Sequence, residues 1–62
     1  MELKRGQQFY NTETKVIVKV TKIKVNLATC TTWIMVREDG EKRMYTLETF
    51  SKYVNSGILT QI

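Results

Sequence analysis

Residues 16–25 read VIVKVTKIKV, an apolar residue set against lysine or threonine at almost every second position. Successive side chains of a strand point to opposite faces, so this is the pattern of a strand with one dry face and one wet face. The alternation slips once, because Val16, Val18 and Val20 share one parity while Ile23 and Val25 hold the other. A one-residue bulge at Thr21-Lys22 restores it. All five apolar residues then face inward, and Lys15, Lys19, Lys22 and Lys24 line the outside of a bent, strongly twisted strand. Such a strand turns the corner of a small barrel.

Sixty-two residues make one domain, 1–62, near the lower size at which a core offsets conformational entropy unaided. Cys30 is the only cysteine and there is no histidine, which excludes an intramolecular disulfide and the Cys/His zinc pattern. Hydrophobic residues at 42% and charged residues at 26% place the chain in the range of folded proteins rather than disordered ones. A lone thiol fits a reducing compartment, and MELKRG at the amino terminus has none of the apolar character of a secretory signal; the expected location is cytoplasmic. The longest apolar run, at 33–36, falls far short of the roughly 20 residues that span a bilayer.

The remaining elements follow from local chemistry. Residues 6–10 read as a short first strand and 11–14 as a polar turn into the long strand. After a turn at 26–28, residues 29–37 are dense in β-branched and aromatic side chains and form a third strand. Asp39-Gly40 then makes a tight hairpin to a fourth strand at 42–45. Thr46 caps a short helix whose apolar positions Leu47, Phe50 and Val54 recur at helical spacing, with Glu48 and Lys52 matched to its dipole. Asn55-Ser56-Gly57 ends it, and residues 58–62 form a last strand that returns beside the first. The expected fold is mainly β, in the order β-β-β-β-α-β with one short C-terminal helix.

This arrangement resembles the SH3-like small barrels. The residues that carry the likeness are Arg5-Gly6-Gln7-Gln8-Phe9, the bent strand at 16–25, the Asp39-Gly40 hairpin, and the closing run from Leu47 through Phe50 to Gly57-Ile58-Leu59. In particular it is similar to the compact SH3-like proteins encoded by phages and other mobile elements. That resemblance implies a stoichiometric inhibitor or adaptor of a host protein, for example one of a bacterial defence system. The acidic loop and paired aromatics of a proline-peptide-binding SH3 domain are missing, so that ligand is not implied. An OB-like barrel is the competing fold, for which the chain is short.

Net charge is +4, and it is unevenly spread. Residues 1–24 carry six basic side chains against two acidic ones, whereas 25–62 carry four of each. The asymmetry favours an anionic partner such as nucleic acid, while the plainer reading is solubility and the blunting of an edge strand. Lys15, Lys19, Lys22 and Lys24, extended by Lys4 and Arg5, form the candidate contact stripe. Strand-borne lysines recur about every 6.6 Å on one face, near the spacing of successive phosphates. Single-stranded nucleic acid also wants aromatic platforms, for which Tyr10, Trp33, Tyr45 and Tyr53 are candidates and for which core packing of Trp33 is the alternative. Lysine meets phosphate as a point charge, so binding of this kind is sequence-independent and salt-sensitive, on single or double strands.

Catalysis finds little support. Without histidine the commonest general base near neutral pH is absent, and Glu38, Asp39 and Glu41 flank a hairpin glycine where turn chemistry already accounts for Asp39. No phosphate-cradling glycine loop or calcium spacing occurs, so no cofactor and no metal is implied. Cys30 has no neighbouring cation to activate it and reads as a packing residue.

The third strand suggests a different class of partner. Its alternating sets, Thr31-Trp33-Met35 and Cys30-Thr32-Ile34-Val36, are both apolar, though a barrel of this size usually buries one. The surplus either lies under the helix or forms a protein interface built on Trp33, Met35, Met44 and Tyr45. That interface would receive a host protein, or a second copy of the chain in a homo-oligomer.

Overall fold

In the computed structural model, which describes residues 3–62, the slip in alternation is a bulge. Val20 lies opposite Val36 and Lys22 opposite Met35, which leaves Thr21 as the extra residue. The Thr21 hydroxyl donates to the Met35 carbonyl at 3.1 Å and pins the bulge to the neighbouring strand. The bulge lies within β2 (Val16–Asn26), the longest of five strands. The others are β1 (Gln8–Asn11), β3 (Thr31–Glu38), β4 (Glu41–Thr46) and β5 (Leu59–Gln61), with one helix, α1 (Leu47–Asn55), between β4 and β5. All pairings are antiparallel in a single sheet of order β4-β3-β2-β1-β5. The last strand does return beside the first; β4 and β5 remain the two edges, and the sheet is not closed.

Two of the three hairpins are made by the same device. Asn11 and Asn26 each end a strand and pair with the first residue of the next, Val16 and Thr31, across four loop residues. The Asn11 carboxamide oxygen accepts from the amides of Glu13 and Thr14 at 2.9 and 3.1 Å, and that of Asn26 from Ala28 at 3.0 Å. Each loop closes on a residue in the left-handed region, Lys15 (φ 62°) and Cys30 (φ 54°). Lys15 is therefore a turn residue and not part of the β2 lysine file, and β3 begins at Thr31 because Thr29 and Cys30 are spent on the turn. The third hairpin is the Asp39-Gly40 turn, with φ of 52° and 78°, the two successive positive values that a tight β-hairpin requires.

Thr46 caps α1 as its position suggests: its hydroxyl oxygen accepts from the Thr49 amide at 3.2 Å. Gly57, at φ 86°, lets the chain leave the helix toward β5. The core lies between the sheet and this helix and comprises Phe9, Val18, Val20, Ile34, Val36, Phe50 and Leu59. Phe50 enters from α1 fully buried and meets the Phe9 ring edge-on, with centroids 5.2 Å apart. Of the five β2 residues assigned inward, Val18 and Val20 are buried, Val16 and Ile23 are half-buried, and Val25 is 57% exposed. Val25 pairs with Thr32 at the far end of the β2–β3 hairpin, beyond the reach of the core. No helix among the described residues is long and apolar enough to cross a membrane.

Candidate nucleic-acid interface

Residues directly opposite one another in an antiparallel ladder point to the same face, so the register assigns every strand residue a side. Ile34 and Val36 are in the core, which sends Trp33, Met35 and Arg37 of β3 to the outer face. Three rows of side chains cross that face from β2 to β4. They are Lys19, Arg37 and Lys42; then Lys22, Met35 and Met44; then Lys24, Trp33 and Thr46. The five cations are exposed, Trp33 and Met35 are half-buried, and Met44 is 55% exposed.

The electrostatics of this face are one-sided. Among the described residues no carboxylate belongs to its three rows: Glu38 and Glu41 pair with each other on the helix-bearing face, Asp39 is in the hairpin turn, Glu48 is on α1 and Glu13 is in the first turn. The two ion pairs formed among the described residues also lie elsewhere, Arg43 to Glu41 at 3.1 Å and Lys52 to Glu48 at 3.9 Å. Among the described residues, Lys19, Arg37 and Lys42 thus stand side by side with no counter-charge in their row. Like charges directly opposite on neighbouring strands destabilise a sheet, so an anion laid across them relieves a repulsion that the fold otherwise carries.

No protein-family model, no curated protein and no solved structure matches the chain.

The stripe expected from sequence is partly assembled. Lys19, Lys22 and Lys24 share the outer face, while Lys15 sits in the turn after β1. Arg5 joins the patch: with Gly6, Lys19, Val20 and Thr21 it lines a shallow depression beside the bulge, held there because the Gly6 amide donates to the Val20 carbonyl at 2.8 Å. Lys4 is exposed in the preceding turn, where its amide donates to the Gln7 side chain at 2.7 Å. Arg37 and Lys42 were not singled out from sequence. They sit beside Glu38 and Glu41, which cancel them in any count along the chain, and only the parity of β3 and β4 separates the two signs.

The candidate protein interface also divides. Trp33, Met35 and Met44 are neighbours on the outer face, whereas Tyr45 pairs with Ile34 and lies on the helix side. There its ring packs edge-on against Tyr53, with centroids 5.9 Å apart, and its hydroxyl donates to Glu38 at 3.0 Å. Burial, and then the hydrogen bond to the Glu38 carboxylate, raise the Tyr45 phenol above its ordinary value of 10.0. This bond also occupies one of two carboxylates that face each other across the hairpin, and Arg43 occupies the other. Among the described residues no three His, Cys, Asp or Glu side chains are grouped to hold a metal ion. Cys30 is exposed at the hairpin end rather than packed.

Proposed function

We propose that this protein is a nucleic-acid-binding module that acts without catalysis, through the outer face of β2, β3 and β4. The observation that carries the reading is the row of Lys19, Arg37 and Lys42 beside Lys22 and Lys24, five exposed cations with no carboxylate in their rows among the described residues. Phosphate is the anion that such a face suits, because it recurs at short intervals and each contact releases condensed counterions. Four of the five cations bind as point charges or through flexible stems, so affinity is set by the backbone and not by base sequence. We also read the sheet as an open SH3-like barrel: a long bulged β2 shared between β1 and β3, with a helix set between β4 and β5, supports that reading. The expected location is cytoplasmic.

The test is fluorescence anisotropy of labelled oligonucleotides across a salt series, comparing the native chain with a variant carrying Lys19→Glu and Lys22→Glu. Binding that weakens steeply with salt and disappears in the variant supports the proposal. Absence of binding at low salt overturns it. The search then moves to the alternative, a host protein, or a second copy of the chain, docked on Trp33, Met35 and Met44, for which the exposure of Met44 beside Met35 is the favouring observation.

A further inference from the structure

We infer that the strand form taken by this face is single-stranded, with phosphates over the lysines of β2 and a base stacked on Trp33; this rests on the nucleic-acid reading above. The face is laid out in files as well as rows. Along β2, where it pairs with β3, the outward residues are Lys19, Lys22, Lys24 and Asn26, and Ile17 continues the outer side beside Tyr10 of β1. Along β3 they are Arg37, Met35, Trp33 and Thr31, and along β4 Lys42, Met44 and Thr46. Away from the one cationic row, charge is confined to the β2 flank and the next two files are apolar or hydroxylic.

That asymmetry matches the two sides of a single strand, which carries charge along its backbone and presents the faces of its bases on the other side. Trp33 lies directly opposite Lys24, about one inter-strand spacing of roughly 4.8 Å away, so one nucleotide can set its phosphate on the lysine and its base on the indole. Met35 and Met44 continue the apolar surface toward Arg37 and Lys42, where the backbone of the same strand finds charge again. A duplex offers this face no comparable fit. Its base faces are hidden in the stack and cost a few kcal/mol per step to open, and this surface is a broad sheet face, not a helix or two-stranded ribbon of the width that enters the major groove.

Trp33 is the only tryptophan in the chain, so its fluorescence reports this contact alone. The experiment titrates short oligo(dT), oligo(rU) and a blunt DNA duplex of equal length into the full chain at one low salt concentration. Indole emission and the anisotropy of the labelled nucleic acid are both followed. The expected result is saturable quenching by both single strands, with the duplex bound about tenfold more weakly and quenching little. Trp33→Ala should weaken oligo(dT) binding about ten- to a hundredfold, and Trp33→Phe only a few-fold, while neither changes duplex binding. Quenching by only one of oligo(dT) and oligo(rU) keeps the stacking geometry and assigns the face to that polymer. Equal affinity for duplex and single strand without quenching, or full affinity in Trp33→Ala, overturns the inference and leaves the wider proposal intact. No binding of any of the three overturns both. Circular dichroism checks the variants, and if Trp33→Ala fails to fold, quenching and strand preference in the native chain decide the matter.

Discussion

Neutralising two cations that the fold brings onto the outer face should do what neutralising two others does not. In one variant Arg37→Gln is combined with Lys42→Gln; in the other Lys15→Gln is combined with Lys52→Gln. Both remove two charges, so any effect of net charge is the same in each. The first pair flanks Met35 and Met44 on the outer face, whereas Lys15 is in the first turn and Lys52 is on α1, paired with Glu48. Each phosphate neutralised on a single strand contributes about −0.7 to the slope of log Kobs against log salt. If all five outer cations engage, the native slope is about −3.5, and loss of two contacts brings it to about −2.1. Between 50 and 200 mM salt the native chain should therefore lose roughly a hundredfold in affinity, the outer-face variant only roughly twentyfold, and the other variant as much as the native chain. Folding should not confound the comparison, since all four side chains are exposed and surface changes of this kind are usually within about 0.5 kcal/mol. The assay is anisotropy at four or more salt concentrations with a common oligonucleotide. Equal slopes in the two variants would refute the reasoning, because binding would then follow total charge and not the face.

Further expectations concern the frame that holds the face. Phe50→Ala removes the one side chain that α1 buries completely, at about 3–5 kcal/mol, against a total stability of roughly 3–9 kcal/mol for a chain this size; circular dichroism should show a largely unfolded protein, and a cooperative transition weakened by under about 1 kcal/mol would contradict the assigned core. Cys30→Gly relieves a left-handed backbone at an exposed position and should raise the stability by up to about 1 kcal/mol once the added freedom of the unfolded chain is counted, read as a higher urea midpoint; a lower midpoint would mean that the loop geometry is otherwise. Tyr45→Phe removes a hydrogen bond to a carboxylate and should cost about 1 kcal/mol at neutral pH. Because the folded phenol titrates above its unfolded value of 10.0, Tyr45 contributes its full stabilisation below pH 10 and loses it as pH rises through the folded value. The gap between native and Tyr45→Phe stabilities should therefore narrow at alkaline pH, and a gap that widens would exclude the Tyr45–Glu38 bond.

What sequence can and cannot specify is visible in β2. The slip between Val20 and Ile23 located the bulge to Thr21-Lys22, since only an extra residue reconciles two runs of opposite parity on one buried face, and the register makes Thr21 that residue. The Asp39-Gly40 turn and the Thr46 cap were equally legible, because each depends on the conformational freedom or hydrogen-bonding reach of the residues themselves. Lys15 and Cys30 were not. Each was assigned to a strand, and each instead closes a four-residue loop whose geometry depends on the asparagine at its start and on where pairing resumes. Closure of the sheet was expected and is not formed, for the pairing of β4 with β5 depends on curvature accumulated over every strand. The parity of β3 was open too, since both of its alternating sets are apolar, and it took Phe50 of α1 packed on one side to make the Ile34 and Val36 face the inner one.

That single choice of parity also decides the electrostatics. Counted along the chain, residues 25–62 are neutral, four basic side chains against four acidic, and the basic excess belongs to the first half alone. In space the second half separates its charges. Arg37 and Lys42 go to the outer face with Lys19, while Glu38 and Glu41 go to the face that bears α1 and are engaged there by Tyr45 and Arg43. Shifting the β3–β4 pair by one residue would exchange the two sets, burying Trp33 and Met35, exposing Ile34 and Val36, and setting two glutamates beside the β2 lysines. The packing of Ile34 and Val36 against Phe50 therefore fixes the sign of the opposite surface. A mutation that loosens this core should weaken nucleic-acid binding even though it touches no cation.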